Sequence, residues 1–304
     1  MKLYQSFIMS VGALALAIIV VVILLAFLLS NRPHVFDVDT YNENKNHIAV
    51  LTIEGPIMSE SPWLNYLEQI NKNTACKGVI IRVNSPGGAV GSSQELYEEI
   101  KSLSTAKPVV VSFGNVAASG GYYLSLGTRK IFSNPGTLTG SIGVIMEFPQ
   151  IGQLLKKWGV EMAVVKSGEY KDAGSMFRAF SENDREYFQS VIDDAYDQFK
   201  TTVSKCRKIQ GVELEKITNG KVFTGRQAYS VHLVDTLGTF SDAKNYIRAI
   251  SGIEKNAPFI SLPPKKSWLE KALGSKFNVI QNVLDQSRLF NPGVFYLLPG
   301  SMGN

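Results

Sequence analysis

The sequence predicts an α/β domain with a mostly parallel sheet. Short apolar strands alternate with helical patterns through the central part of the chain, as in strand–helix–strand units. Two of these strands stop at glycine-rich breaks. The 304 residues are 45% hydrophobic and 19% charged, which is the usage of globular proteins and excludes a disordered or collagen-like chain.

The first element is a long apolar segment near the N-terminus. No charged side chain occurs from Leu3 to Asn31, and residues 7–29 are nearly all apolar, long enough to cross a bilayer as one helix. A cleaved secretory signal is the alternative, but the run is longer than a typical signal core and no A-x-A-like site follows it. We therefore predict a short flank at 1–6, a transmembrane anchor at 7–29 and a polar linker at 30–46. The flanking positive charges are nearly balanced and do not decide the orientation.

The next elements build the predicted domain, which we place at residues 47–252. Alternation and β-branched runs predict strands, and apolar residues at helical spacing predict helices. In order along the chain, the predictions are a strand at 47–53, a helix at 62–73, a strand at 78–83, a helix reaching residue 103 and a strand at 108–113. Two more strands are predicted at 142–146 and 160–166, with a helix between them at 151–158.

Helices dominate the sequence after residue 181. Ser181 and the acidic residues that follow it predict the start of a helix that continues to about residue 209. Further helical segments are predicted at 212–218, at 225–230 and from residue 241. The region 253–304 is predicted to be a C-terminal tail, with a basic amphipathic stretch at 268–284 that lies on a membrane or packs on a protein surface.

Several classes of function are excluded by what the sequence lacks. The net charge of +5 is spread along the chain, without the basic and aromatic patch of a nucleic-acid-binding protein. No group of His, Cys or Asp has the spacing of metal ligands, and there is no phosphate-binding or dinucleotide-binding glycine motif. The two cysteines, Cys76 and Cys206, are predicted to be lone thiols rather than a disulfide.

The strongest chemical signals are the two glycine-rich breaks. The run 84–88 (NSPGG) follows one apolar strand, and the run 117–121 (AASGG) follows another. Unpaired backbone N–H groups at such strand ends can hold a phosphate, a thioester oxygen or a tetrahedral oxyanion. Ser119 in the second break is predicted to present an exposed hydroxyl at a strand-to-helix turn, as nucleophiles do. Each break taken alone is better explained as an ordinary turn and helix cap, but the two together, each after an apolar strand, favour a site.

A nucleophilic serine needs a base, and the histidines are poorly placed to supply it. His34 lies in the linker, His47 opens the first strand and His232 occurs in a segment that we interpret as structural. A lysine can be the base when it is held neutral. The residues alone do not select one of the many lysines.

A resemblance to a known family indicates which lysine is the base. The resemblance depends on four motifs that occur in order along the chain. They are NSPGG at 84–88, AASGGYY at 117–123, TLTGSIG at 137–143 and SGEYK at 167–171. Over about residues 47–250 the chain resembles the short form of the signal peptide peptidase A family of membrane-bound serine proteases. The resemblance implies the fold of Clp protease subunits and crotonases, a spiral of β-β-α units. It also implies that Ser119 is the nucleophile, Lys171 the general base and Ser141 the hydroxyl that orients the lysine amine, without a cofactor. Gly87, or its neighbour Gly88, and Gly120 match the oxyanion hole.

The resemblance carries further expectations about the whole protein. It implies a serine endopeptidase that cleaves leftover signal peptides and similar apolar peptides, with its catalytic domain on the outer face of the cytoplasmic membrane. Double-length members of the family divide the dyad between their two halves, so a homo-oligomeric ring with a dyad shared between subunits is expected here. His232 stands where the family often has glycine, and a left-handed backbone there would disfavour histidine. The alternatives are a crotonase-like acyl-CoA enzyme and a non-catalytic membrane scaffold of the same fold.

Overall fold

The computed structural model describes residues 44–262 and the backbone of residues 295–297. The predicted flank at 1–6, anchor at 7–29, most of the linker and the amphipathic stretch at 268–284 lie outside these residues. Within the described part, no helix combines the length and the apolar character needed to cross a membrane.

The described residues form strands and helices that alternate through most of the chain. The strands are β1 (His47–Glu54), β2 (Cys76–Ser85), β3 (Gly87–Ala89), β4 (Val109–Ala118), β5 (Ile131–Ser133), β6 (Leu138–Gly140), β7 (Val222–Thr224), β8 (Thr236–Leu237), β9 (Phe259–Leu262) and β10 (Phe295–Leu297). The helices are α1 (Ser61–Lys72), α2 (Val90–Ala106), α3 (Gly120–Ser125), α4 (Gly152–Lys157), α5 (Glu182–Arg207), α6 (Gly211–Ile217), α7 (Gly225–Ser230) and α8 (Phe240–Ser251), with a 3₁₀ turn at Glu169–Asp172.

The main sheet is mostly parallel, as predicted. Its strand order is β7-β6-β4-β2-β1-β9, and β5 pairs with both β4 and β8. The β6–β7 pair is antiparallel, and the other pairs of this sheet are parallel. A second, two-stranded sheet joins β10 to β3 in antiparallel register. Because β2 and β4 are parallel neighbours, their carboxyl ends and the two glycine-rich breaks meet at one edge of the sheet.

The core forms because the central strands are apolar on both faces. On one face, strand residues including Ile48, Ile80 and Val110 pack against Ala243 and Ile247 of α8. Strands that are covered on both faces read as continuous β-branched runs rather than as an alternation. The predicted strands at 47–53, 78–83 and 108–113 are thus confirmed, with β4 extending five residues beyond its prediction.

Helix α3 packs against α2 and α5 through aromatic side chains. The rings of Tyr97 on α2, Tyr123 on α3 and Phe199 on α5 form two edge contacts, with centroids 5.3 and 4.9 Å apart. The start of α5 is confirmed, because Ser181 and Asp184 form a capping box. Helix α3, which follows the second glycine-rich break, is therefore held in the interior by aromatic packing.

Two of the predicted strands are wrong. Residues 142–146 and 160–166 form no strand in the structure, although the helix predicted between them is present as α4. Their β-branched residues indicated strands, but a strand also needs a hydrogen-bonded neighbour. Val164 and Val165 are exposed instead, Val165 completely. These two valines are thus not covered by the described part of their own chain.

Candidate active site

Ser119 occupies a strained turn between β4 and α3. Its backbone has φ 53° and ψ −116°, a conformation that side-chain-bearing residues rarely adopt. Such strain costs about 1–3 kcal/mol and persists where the surrounding structure enforces it. The Ser119 hydroxyl makes no cap hydrogen bond, and its Oγ has no hydrogen-bond partner among the described residues. An ordinary helix cap therefore does not explain this serine.

The turn is buried rather than exposed. Ser119 has no accessible surface, so the prediction of an exposed hydroxyl is wrong for the single chain. The reason is that Gly120 contacts the other glycine-rich break. A Cβ atom on Gly120 would lie 3.2 Å from the Gly88 nitrogen, 3.3 Å from Gly87 Cα and 2.4 Å from Ser93 Oγ. Only glycine allows the two breaks to approach this closely.

The peptide groups of the first break point in defined directions. The Ile57 N–H donates to the Gly87 carbonyl, and the Ala89 N–H donates to the Ile57 carbonyl, both at 2.8 Å. These two bonds bracket Gly88, so the Gly88 N–H faces the opposite edge of β3. The Gly87 N–H donates to Ser85 Oγ at 3.2 Å. Of the two glycines that the sequence left open, Gly88 has the amide better placed to receive an oxyanion.

The opposite edge of β3 carries an extended strand in the structure. The backbone of β10 pairs with it in antiparallel register, with Tyr296 opposite Gly88. The edge beside Gly88 can therefore hold an extended peptide by main-chain pairing, as peptide-binding sheet edges do.

Ser141 directly follows β6, and Ser119 directly follows the neighbouring strand β4. The Ser119 N–H donates to the Gly140 carbonyl at 2.8 Å, and Ala118 is paired in register with Gly140. Neighbouring strands are about 4.8 Å apart, so the residues that follow this pair are adjacent. Ser141 is buried, has φ 51° and donates its N–H to the Lys221 carbonyl at 2.8 Å. The structure thus brings together Ser119, Ser141, Gly120 and the first glycine break.

The structure does not bring Lys171 to this group. Lys171 is in the 3₁₀ turn Glu169–Asp172 and is exposed. Its amine makes no hydrogen bond or ion pair with the described residues, and Ser119 Oγ is equally without a partner there. A dyad formed by these two residues is therefore not assembled within the described part of one chain.

Ion pairs that the sequence analysis missed surround the lysine turn. Hydrogen bonds from Lys166 and Arg178 hold the pKa of Asp172 below its usual value. A further bond from Arg178 holds the pKa of Asp184 below its usual value, and Asp184 in turn raises the pKa of Arg178. The capping pattern identified Asp184 in the sequence, but nothing in the sequence pairs Arg178 with two carboxylates that are each six residues away.

The other residues named from the sequence have structural roles or none. His47 is buried at the start of β1, where its Nδ1 lies 2.8 Å from the Lys45 carbonyl. Cys76 and Cys206 form no disulfide, as predicted: the Cys76 thiol donates to the Gly78 carbonyl at 3.4 Å, and Cys206 Sγ lies 3.5 Å from the Tyr97 hydroxyl. His232 is exposed with φ 63°, so the left-handed backbone considered for this position is present. His34 lies outside the described residues, within which no group of His, Cys, Asp and Glu could hold a metal.

The sequence matches the models of two protein families. The sequence matches the model of peptidase family S49 over residues 101–254, which is half of the chain. It also matches the Clp protease family over residues 45–137. The mixed α/β fold is thus of the Clp protease type.

Individual relatives are similar over part of their length. A putative protease of Synechocystis sp. is 43% identical over 176 residues, which cover 58% of this chain and 64% of that protein. A putative signal peptide peptidase of Enterococcus faecium is 38% identical over 187 residues, or 61% of this chain and 54% of that protein. The chain thus spans less than two thirds of each relative. A solved Clp protease subunit of Listeria monocytogenes, 16% identical, superposes on 64% of this chain and 92% of its own with a TM-score of 0.42.

Proposed function

Since the chain belongs to peptidase family S49, a family of serine-type peptidases, we propose that it is an endopeptidase with Ser119 as nucleophile and Lys171 as general base. The resemblance to the signal peptide peptidase A family, drawn from four short motifs, is confirmed. One observation carries the proposal: Ser119 has a strained backbone, an unpartnered hydroxyl and the NSPGG break against the residue that follows it. An acyl-CoA enzyme of related fold has no comparable support.

The proposed reaction proceeds through an acyl-enzyme. Neutral Lys171 accepts the Ser119 hydroxyl proton while Oγ attacks the peptide carbonyl carbon. The tetrahedral intermediate collapses, and the leaving amine takes the proton from the Lys171 ammonium. Water then attacks the ester carbonyl while Lys171 accepts one of its protons. Collapse of the second tetrahedral intermediate releases the acid as the Lys171 ammonium returns that proton to Ser119 Oγ, which regenerates the neutral lysine and the serine hydroxyl. Ser141 holds the lysine amine toward Oγ throughout.

The oxyanion is proposed to bind the N–H groups of Gly120 and Gly88. Both glycines lie at the contact between the two breaks, and the Gly87 amide is already directed at a side chain. Preorganised amides of this kind contribute about 3–4 kcal/mol to the stabilisation of the transition state.

The dyad is proposed to form between subunits of a ring. Lys171 is exposed while Ser119 is buried in the described part of the chain. The segment that leads to Lys171 also exposes apolar residues, among them Trp158 at 73% and Val165 at 101%. Apolar surface of this kind is typical of a face that a partner covers. A second copy that covers it would bring Lys171 to the neighbour's Ser119, and this head-to-tail contact closes into a ring.

The proposed substrates are apolar peptides, including remnants of signal peptides. The Enterococcus relative, named a putative signal peptide peptidase, and the edge of β3 that can pair with an extended peptide support this class. We further propose that residues 7–29 anchor the chain in the cytoplasmic membrane, that the catalytic domain lies on the outer face and that its β-β-α units form a spiral. A peptidase near the membrane surface meets peptides released there.

The catalytic assignment is tested by substituting each member of the dyad. We expect Ser119→Ala and Lys171→Ala to remove cleavage of an apolar fluorogenic peptide, since loss of a nucleophile or its base costs several orders of magnitude in rate. Ser125→Ala is the matched control, because Ser125 is a buried serine on α3 whose hydroxyl only donates to the Gly121 carbonyl at 2.7 Å. Near-normal turnover by either dyad variant, or absence of Ser119 labelling by a serine-reactive probe, would reject the assignment.

The shared dyad is tested by mixing the two inactive variants. Each site in a ring draws Ser119 from one subunit and Lys171 from the next. Random co-assembly therefore restores about a quarter of the sites, since each residue is intact in half of the subunits. A co-assembled mixture that stays as inactive as its parents would place the dyad within one chain.

A further inference from the structure

The turn that carries Lys171 is fastened to the start of α5 on both sides of the lysine. The ring of Tyr170 lies 5.0 Å from that of Tyr187 on α5, measured between centroids. On the other side, Asp172 accepts hydrogen bonds from Lys166 at 2.6 Å and from Arg178 Nη2 at 3.3 Å. Lys171 itself is exposed and has no such bond to the described residues. The turn is thus fixed while the amine of Lys171 stays available.

Arg178 is the residue that joins the turn to the helix. Its Nη2 donates to Asp172 and, at 2.8 Å, to Oδ1 of Asp184. Asp184 has a side chain only 4% exposed and also caps α5 through Ser181. A planar guanidinium can serve two carboxylates at once, which an ammonium does less well. On the Asp172 side, the position of the lysine turn relative to α5 therefore depends on this side chain.

Arg178 also determines the charge around the lysine. Within the described residues, the turn itself carries Glu169 and Asp172, Lys166 and Arg178 are bonded to Asp172, and Asp184 is bonded to Arg178. Carboxylates near an amine favour its ammonium form, which cannot accept a proton. Two cations stand against three carboxylates here, and removal of Arg178 would leave one cation.

From these contacts we propose that Arg178 is a positioning residue for Lys171. It holds the Glu169–Asp172 turn on α5 and offsets the charge of Asp172 beside the lysine, so that the turn presents the amine to the serine. The inference rests on the proposed role of Lys171 as the base. Arg178 is not expected to touch the substrate or the reacting atoms.

The test measures kcat, KM and the pH–rate profile of the full chain on an apolar fluorogenic peptide. For Arg178→Ala we expect kcat to fall about 10- to 100-fold, as for a displaced catalytic group, with little change in KM. The acid limb of the profile should move to higher pH by about half a unit or more, because the carboxylates are less compensated. Asp172→Asn should also lower kcat but move the limb to lower pH. Arg178→Lys should keep the acid limb in place and have a kcat between those of Arg178→Ala and the wild type. The lysine restores the positive charge but lacks the planar guanidinium that donates to both carboxylates.

The control removes an ion pair from the same helix. Lys200 of α5 forms an ion pair with Glu215. Because an α-helix rises 1.5 Å per residue, Lys200 lies about 24 Å along the helix from Asp184. Lys200→Ala should leave kcat and the acid limb unchanged. If Arg178→Ala does not fold, the inference is tested by Arg178→Lys, which should lower kcat with the acid limb in place, and by Asp172→Asn, which should lower kcat and move the limb to lower pH.

Two results would overturn the inference. One is an Arg178→Ala protein with a lower melting temperature but wild-type turnover per folded molecule and an unmoved acid limb, which would make the ion pairs purely structural. The other is a limb that moves in the same direction in Arg178→Ala and Asp172→Asn. Lys171→Ala separates this failure from failure of the proposed function: if that variant is active, the base is elsewhere, and if it is inactive, only the role of Arg178 is wrong.

Discussion

Substitution of Gly120 by alanine probes the contact on which the proposed oxyanion hole depends. The added Cβ would lie 2.4 Å from Ser93 Oγ, where ordinary contacts begin near 3.4 Å, so the atoms must separate by about 1 Å. Ser93 can yield only by giving up its 2.9 Å hydrogen bond to the Ala89 carbonyl. The same Cβ would crowd the Gly88 nitrogen at 3.2 Å. We expect overpacking to cost about 1–3 kcal/mol of stability. Displacement of an oxyanion donor should lower kcat about 10²–10³-fold.

The assay compares kcat on an apolar fluorogenic peptide with urea unfolding for a matched set of variants. Gly91→Ala is the control, because Gly91 lies on α2 with no atom within 4 Å of its Cβ position. It should raise the stability by about 0.5–1 kcal/mol and leave kcat unchanged. Adding Ser93→Ala to Gly120→Ala removes the 2.4 Å clash but keeps the crowding of Gly88, so stability should recover more than kcat. Wild-type kcat in Gly120→Ala, or full recovery of kcat in the double variant, would refute the reasoning.

The remaining predictions concern the base, its partner and a strained residue. Turnover should rise from pH 6 toward pH 9, because a lysine accepts a proton only when neutral; a profile flat down to pH 5 would argue against Lys171. Ser141→Ala should lower kcat about tenfold without unfolding, because the hydroxyl orients the base; a lower melting temperature at unchanged turnover would show that Ser141 only supports a turn. His232→Gly should raise the free energy of unfolding by up to about 1 kcal/mol, because the exposed His232 has φ 63° and glycine relieves that strain. A less stable variant in urea unfolding would contradict this.

The short strands and the lysine segment show where local pattern stops being informative. β5, β6 and β8 have two or three residues each, too few to show a period, and they exist because β4 and its neighbours offer edges. At 160–166 the local pattern was misleading in the other direction: the β-branched residues predicted a strand, but the described residues offer it no pairing partner. Secondary structure of this kind depends on neighbours that are distant in sequence.

The sequence alone determined the α/β class, the buried parallel strands, the start of α5 at Ser181 and the two glycine-rich breaks. These features depend on local patterns: period, capping residues and glycine. The motifs also predicted roles for Ser119, Ser141 and Lys171 and left the choice between Gly87 and Gly88 open. Only the tertiary structure decided that Gly120 lies against the first break, that the Gly88 amide is better oriented than that of Gly87, and that Arg178 bridges two carboxylates beside the lysine. It also decided that Lys171 stays apart from Ser119 within the described chain. Distances and peptide directions depend on how β2, β4 and β6 align and on where α5 packs, and such long-range geometry is not encoded in any local run of residues.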